Sequence, residues 1–153
     1  MSLTQLTPHF SLPELTASST ARRLGLDNTP PADTVVRLQQ LAELLERIRT
    51  HLGVPMIVTS GYRAPAVNKA VGGVTTSDHQ AGMAADFVAP SYGTPAQIAR
   101  ALAPLVSVLG IGQLIYEHIG GKAWVHVSTR IPERASNRVI TITGSGTQLG
   151  VQE

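Results

Sequence analysis

The chain has 153 residues and a mass of 16.2 kDa, with 42% hydrophobic and only 14% charged residues, which fits one folded domain and excludes wholesale disorder. Lysine plus arginine total 12 against 10 aspartate plus glutamate; a net charge of +2 with 4% aromatics is too little for a nucleic-acid surface or a base-stacking platform. Cysteine is absent, so disulfide scaffolds, thiolate metal sites and cysteine nucleophiles are excluded, and any metal must be held by histidine and carboxylate.

Residues 1–32 are polar and turn-rich, with Pro8, Pro13, Pro30 and Pro31. Phe10, Leu12, Leu15, Leu24 and Leu26 supply apolar anchors, so this segment is expected to be an arm packed on the domain, with a short helix beginning near Pro13. Its opening, MSLTQLTPHF, has neither a basic n-region nor an apolar h-region, and no secretory signal is expected. The main domain is expected over 33–143. Leu38, Leu41, Leu45, Ile48 and Leu52 recur at three- and four-residue steps and predict a helix over 33–51, capped by Asp33 or Thr34 and ended by Gly53 and Pro55. Met56–Thr59 reads as a short buried strand, and Tyr62–Gly82 as a long loop, of the kind that is functional or disordered in a compact domain.

Strand character returns at Met83–Val88. Thr94-Pro95-Ala96-Gln97 has capping-box spacing with proline at the first helical position, and opens a helix to about Val108 that Pro104 kinks. Gln113–Glu117 and Ala123–Ser128 flank Gly120-Gly121 as a hairpin. Arg138–Thr143 alternates as an edge strand, and the Gly-, Ser- and Gln-rich residues 144–153 are expected to be a frayed tail. No apolar run approaches the roughly 18 residues of a membrane span, so stable membrane insertion is not expected. The fold class these elements imply is α+β: a small, mainly antiparallel sheet, two main helices and a metal cleft at one face.

The chemistry concentrates in Ser77-Asp78-His79-Gln80-Ala81-Gly82-Met83-Ala84-Ala85-Asp86-Phe87. A histidine in a glycine-containing loop precedes a strand with an aspartate seven residues on, and Gly82, Ala84 and Ala85 keep bulk out of the space between them. Zinc takes imidazole nitrogen and carboxylate oxygen at about 2.0–2.2 Å, and a catalytic site uses three protein ligands with a fourth position open. His79 and Asp86 suit two of these, and His126, central in the apolar strand Trp124-Val125-His126-Val127-Ser128, suits the third. An imidazole buried there needs a partner, and a metal is one.

Ser60-Gly61-Tyr62-Arg63-Ala64-Pro65, then Asn68, then Ser77-x-His79-x-x-Gly82-x-Ala84-x-Asp86, then Trp124-Val125-His126 resembles the zinc D-Ala-D-Ala peptidases of the M15 class. The likeness is greatest to the short phage and prophage branch that includes cell-wall endolysins, whose opening is similar to His9-Phe10-Ser11-Leu12-x-Glu14-Leu15 through Asn28-x-Pro30. It runs in order over roughly residues 8–130. The resemblance implies His79, Asp86 and His126 as zinc ligands, Arg63 as the group that polarises the scissile carbonyl or stabilises the oxyanion, and Ser77 as a shaper of the substrate pocket.

Many members of that class carry a catalytic carboxylate three residues before the last histidine, where this chain has Ala123. Glu117 is the nearest acid. If it lies across the hairpin from Trp124, it shares a face with His126 at a diagonal distance of about 7–8 Å and suits a general base; a register shift of one residue would bring His118 round instead. The implied function is zinc-dependent hydrolysis of a peptide bond in the peptidoglycan stem peptide, by a D-alanyl-D-alanine carboxypeptidase or a cell-wall endopeptidase. Such a protein is expected to be a monomer, made in the cytoplasm and acting on the wall after release or delivery. The alternative, kept open by Ala123, is a non-catalytic wall-binding or phage structural module that retains the fold.

Overall fold

The computed structural model describes residues 5–153. Its first segment is built from short, locally satisfied pieces: a two-stranded ribbon of β1 (Gln5–Thr7) and β2 (Phe10–Ser11), then helices α1 (Leu12–Thr16) and α2 (Ser19–Leu24). Ser11 Oγ accepts from Glu14 N at 3.2 Å and Ser18 Oγ from Ala21 N at 3.1 Å, so each short helix starts on a hydroxyl cap. Phe10 and Leu15 reach the main core, and His9 bonds Glu46 through both its backbone N–H and Nδ1. Leu24, expected as an anchor, is 51% exposed because it lies in the last turn of α2 before Gly25.

Helix α3 (Ala32–Leu52) carries the apolar stripe, and Leu38, Leu41, Leu45, Ile48 and Leu52 are all buried. It opens at Pro31 without a side-chain cap, while Asp33 turns its carboxylate to Thr34 N and sits in the first turn, where the helix dipole favours an anion. Strand β3 (Ile57–Ser60) follows. It is a sheet edge rather than the buried strand expected from Met56–Thr59: it pairs only with β4 (Ala84–Val88), and Ile57 is exposed. The expected loop of 62–82 contains a further helix, α4 (Pro65–Ala70), whose N-terminal proline has its dihedral preset and which buries Val67 and Asn68.

Helix α5 (Pro95–Leu102) starts on the anticipated capping box: Gln97 N donates to Thr94 Oγ1 and Thr94 N to Gln97 Oε1. A 3-10 turn at Ala103–Leu105 contains Pro104 and leads into α6 (Val106–Leu109). Strands β5 (Gln113–Ile119) and β6 (Lys122–Ser128) form the hairpin, with Gly120 and Gly121 both at positive φ, as a two-residue turn of matching twist requires.

The main sheet has the order β3-β4-β6-β5-β7-β8, antiparallel except where β7 (Val139–Thr143) runs parallel to β5. Two expectations change here. Strand β7 is interior, not an edge, and residues expected to fray form β8 (Gly146–Leu149), which pairs with β7. The terminus is tied further by Gln152 N to Thr141 Oγ1 and by the Arg100–Glu153 ion pair, long-range partners that composition cannot reveal.

Directly paired residues of antiparallel strands share a side of the sheet. Ala85 and Phe87 of β4, Val125 and Val127 of β6 and Leu114 of β5 therefore point together into the core under α3, while Tyr116 packs on Ala96 and Ala99 of α5. The intervening residues Asp86, His126, Glu117 and Trp124 line the opposite side. Among the described residues no helix is long and apolar enough to cross a membrane.

Candidate metal centre

Asp86 and His126 are direct cross-strand partners on β4 and β6. His79 comes from the loop before β4, which is held over the strands by backbone bonds: Arg63 N donates to His79 O at 3.1 Å and Met83 N to Asp78 O at 2.9 Å. His79 Nε2 lies 3.2 Å and His126 Nδ1 3.0 Å from the same oxygen, Asp86 Oδ1. The two imidazoles meet edge to face with centroids 5.1 Å apart, and one ligand atom from each of the three residues lies within 4.8 Å of the others.

The donors are pre-oriented. His79 Nδ1 is 2.8 Å from the Gly61 carbonyl; a proton on that nitrogen leaves Nε2 as the lone pair facing Asp86. Gly61 can hold this position because the Leu15 backbone packs directly against its Cα, where any Cβ would overlap Leu15 O, and Tyr62 N donates to that same oxygen at 2.7 Å. Two imidazole nitrogens and a carboxylate oxygen, converging with no thiol in the chain, form a donor set that fits a divalent metal such as zinc.

Electrostatics bind the cluster together. Burial pushes the Asp86 carboxyl up, but the charges and hydrogen bonds of His79 and His126 outweigh it and hold Asp86 well below the usual carboxylate range. For His126, burial works against protonation, yet the Asp86 hydrogen bond and the charges of Asp86, Glu117 and Asp78 leave its imidazole above the ordinary value.

Glu117 lies opposite Trp124, the register that puts it on the histidine face, and its Oε1 is 3.8 Å from His126 Nδ1. Burial and the Asp86 charge raise its carboxyl above the ordinary value, with His126 opposing. His118 pairs with Ala123 and so points to the other side, where its ring stacks over Tyr116. Arg63 lies just beyond β3 with its guanidinium half-buried; burial lowers its pKa while Asp86 and Glu117 act to raise it, and a guanidinium remains a cation throughout. Its Nη2 is 3.5 Å from Ser77 Oγ, and its Nε is buried without an acceptor among the described residues. Ser77 Oγ also accepts from His79 N at 3.2 Å, so this hydroxyl shapes the ligand loop itself.

Sequence reasoning missed the groups that hold these side chains in place. Asn28 donates to Thr16 O and Tyr62 O and accepts from Ala64 N, bracketing Arg63 from the arm. Buried Asn68 donates to Val74 O and Gln80 Oε1 across the loop. Both, like Gly61, stand in the motifs singled out above, which is the one trace of their roles in the sequence.

No curated protein matches the chain. A family model described as Peptidase M15 matches residues 8–128, a span that includes most of the arm, the His79 loop and the whole β5–β6 hairpin. With that match over most of its length, and with the His79, Asp86 and His126 donors gathered at one point, the chain belongs to the peptidase M15 family.

Proposed function

We propose that the protein is a zinc metallopeptidase that cleaves a peptide bond next to D-alanine in the peptidoglycan stem peptide, as a DD-carboxypeptidase or endopeptidase. The observation that carries the reading is the convergence of His79, Asp86 and His126 beside Glu117 on one sheet face. In this reading His79 Nε2, Asp86 Oδ1 and His126 Nδ1 hold the metal. Bound zinc supplies Lewis acidity, acidifying water and polarising a carbonyl.

Glu117 then takes the proton of the attacking water and later delivers it to the leaving amine. A carboxyl raised by burial is matched to that two-way role. The Arg63 guanidinium donates to the oxygen on which negative charge develops, and its planar fork suits that task better than an ammonium would. Arg63 Nε is a buried donor without an acceptor among the described residues, which favours a ligand rich in carbonyl oxygen. Ser77 keeps Arg63 and His79 in register and borders the substrate.

The test is incubation of the zinc-loaded protein with purified peptidoglycan and with a stem pentapeptide ending in D-Ala-D-Ala, with products read by mass. Release of free D-alanine identifies a carboxypeptidase and cleavage of cross-links an endopeptidase. A zinc-bound protein that cuts neither, but sediments with the wall, is the non-catalytic module instead.

A further inference from the structure

We propose that Asp78, Ser128 and Arg130 form a positioning clamp that docks the His79 loop on β6 and thereby sets the metal affinity of the centre; this rests on the metal reading above. Asp78 directly precedes His79 and its side chain is 13% exposed. Ser128 follows His126 by two residues, hence on the same side of β6, and is fully buried. Ser128 Oγ donates to Asp78 Oδ2 at 2.8 Å, Arg130 Nε donates to Asp78 Oδ1 at 2.6 Å, and Arg130 N donates to Ser128 Oγ at 3.0 Å. Each carboxylate oxygen of Asp78 thus has a donor, and the buried hydroxyl both gives and receives.

The backbone completes the clamp. Asp78 O accepts from Met83 N at 2.9 Å and Ala81 N at 3.2 Å, closing the turn that leads into β4, while Thr129 N donates to Met83 O at 2.9 Å. One residue therefore joins the three segments that carry the three donors: the His79 loop, the entry to the Asp86 strand and the His126 strand. With its oxygens committed, Asp78 is not a fourth ligand. A metal site tolerates only a few tenths of an ångström of ligand displacement, and His79 is the donor that no strand pairing fixes.

Zinc affinity, measured by competition with a chromophoric chelator on the full chain, tests the clamp, together with the visible spectrum of the Co²⁺-substituted protein and the melting of metal-free protein. Asp78→Ala and Ser128→Ala should each weaken zinc by about 10–100-fold, the range for outer-sphere partners of metal ligands, and alter the Co²⁺ spectrum. The double variant should be little worse than the weaker single one, since both break the same bond. Asp78→Asn, which retains an acceptor for Arg130, should recover most of the affinity. Wild-type zinc affinity in both alanine variants overturns the clamp, even if metal-free melting falls, because the contacts would then serve the fold alone. If neither buried variant folds, Arg130→Ala on its half-exposed side chain decides: weaker zinc supports the clamp and unchanged zinc overturns it. A parent protein that takes up no zinc, indistinguishable from His79→Ala, overturns the metal centre and the clamp together.

Discussion

Strands β4 and β6 carry two chemistries on one backbone. On the covered side Ala85, Phe87, Val125 and Val127 are wholly buried against α3 and need no partner beyond shape. On the other side Asp86 and His126 are also largely removed from water, yet they must satisfy one another, and Asp86 is left ionised between two imidazoles. The first side is tolerant, since hydrophobic volume alone nearly suffices. The second is specific, since each polar group there depends on a named partner. Neighbouring residues such as Asp86 and Phe87 should accordingly fail in different ways when changed.

The largest separation is expected from that pair. Phe87→Ala should lower stability by about 3–5 kcal/mol in denaturant unfolding, while the folded fraction still binds zinc. Asp86→Ala should abolish zinc binding and hydrolysis, with a smaller shift in the melting of the metal-free protein. If Asp86→Ala keeps full zinc occupancy, the contrast between the two sides collapses.

Within the polar side, Arg63→Ala should fold, retain zinc and lose turnover by roughly 10²–10³-fold, with Arg63→Lys recovering part. Glu117→Gln should leave zinc content unchanged and slow hydrolysis by at least about 10²-fold, and His118→Ala, on the opposite side, should be mild. Steady-state kinetics with metal analysis on the same samples checks both. Equal effects of Glu117→Gln and His118→Ala would break the assignment of a single reactive side.

The pH response should also distinguish metal-free from loaded protein. His126 is raised in the folded metal-free chain, so its ion pair with Asp86 stabilises fully below its unfolded value and is lost as pH rises through the folded one. Zinc needs the neutral imidazole, so its affinity should rise over that same interval. Melting curves with and without zinc should therefore draw apart as pH increases, and a constant gap would count against His126 as a ligand. The smallest effect belongs to the arm: His9→Ala, at the partly exposed pair with Glu46, should lower stability by about 1 kcal/mol or less in unfolding titrations.

Much of this contrast was legible in sequence because it is local. His126 stood out at the centre of the otherwise apolar strand Trp124–Ser128, and Asp86 in the strand that follows the His79 loop. The Gly120-Gly121 turn marked the hairpin but left two registers open, one bringing Glu117 and the other His118 to the histidine side; the pairing of Glu117 with Trp124 decided between them. The α3 stripe and the Thr94 capping box were equally clear, since helix periodicity and caps act over a few residues. By contrast, α4 was hidden in a glycine-containing loop and β8 in a polar tail: α4 is held by burying Val67 and Asn68, and β8 by backbone pairing with the neighbouring β7, of which its exposed side chains give no sign.

The sequence by itself determined the inventory: which side chains can bind a metal, and the absence of thiols that confines the donors to imidazole and carboxylate. Only the tertiary structure decided their company. That His79 Nδ1 meets the Gly61 carbonyl and that Asp78 is held by Ser128 and Arg130 depend on contacts between residues far apart in the chain. Such contacts form because leaving a buried polar group unpaired is costly, and the identity of its partner is a property of the packed molecule rather than of any short segment.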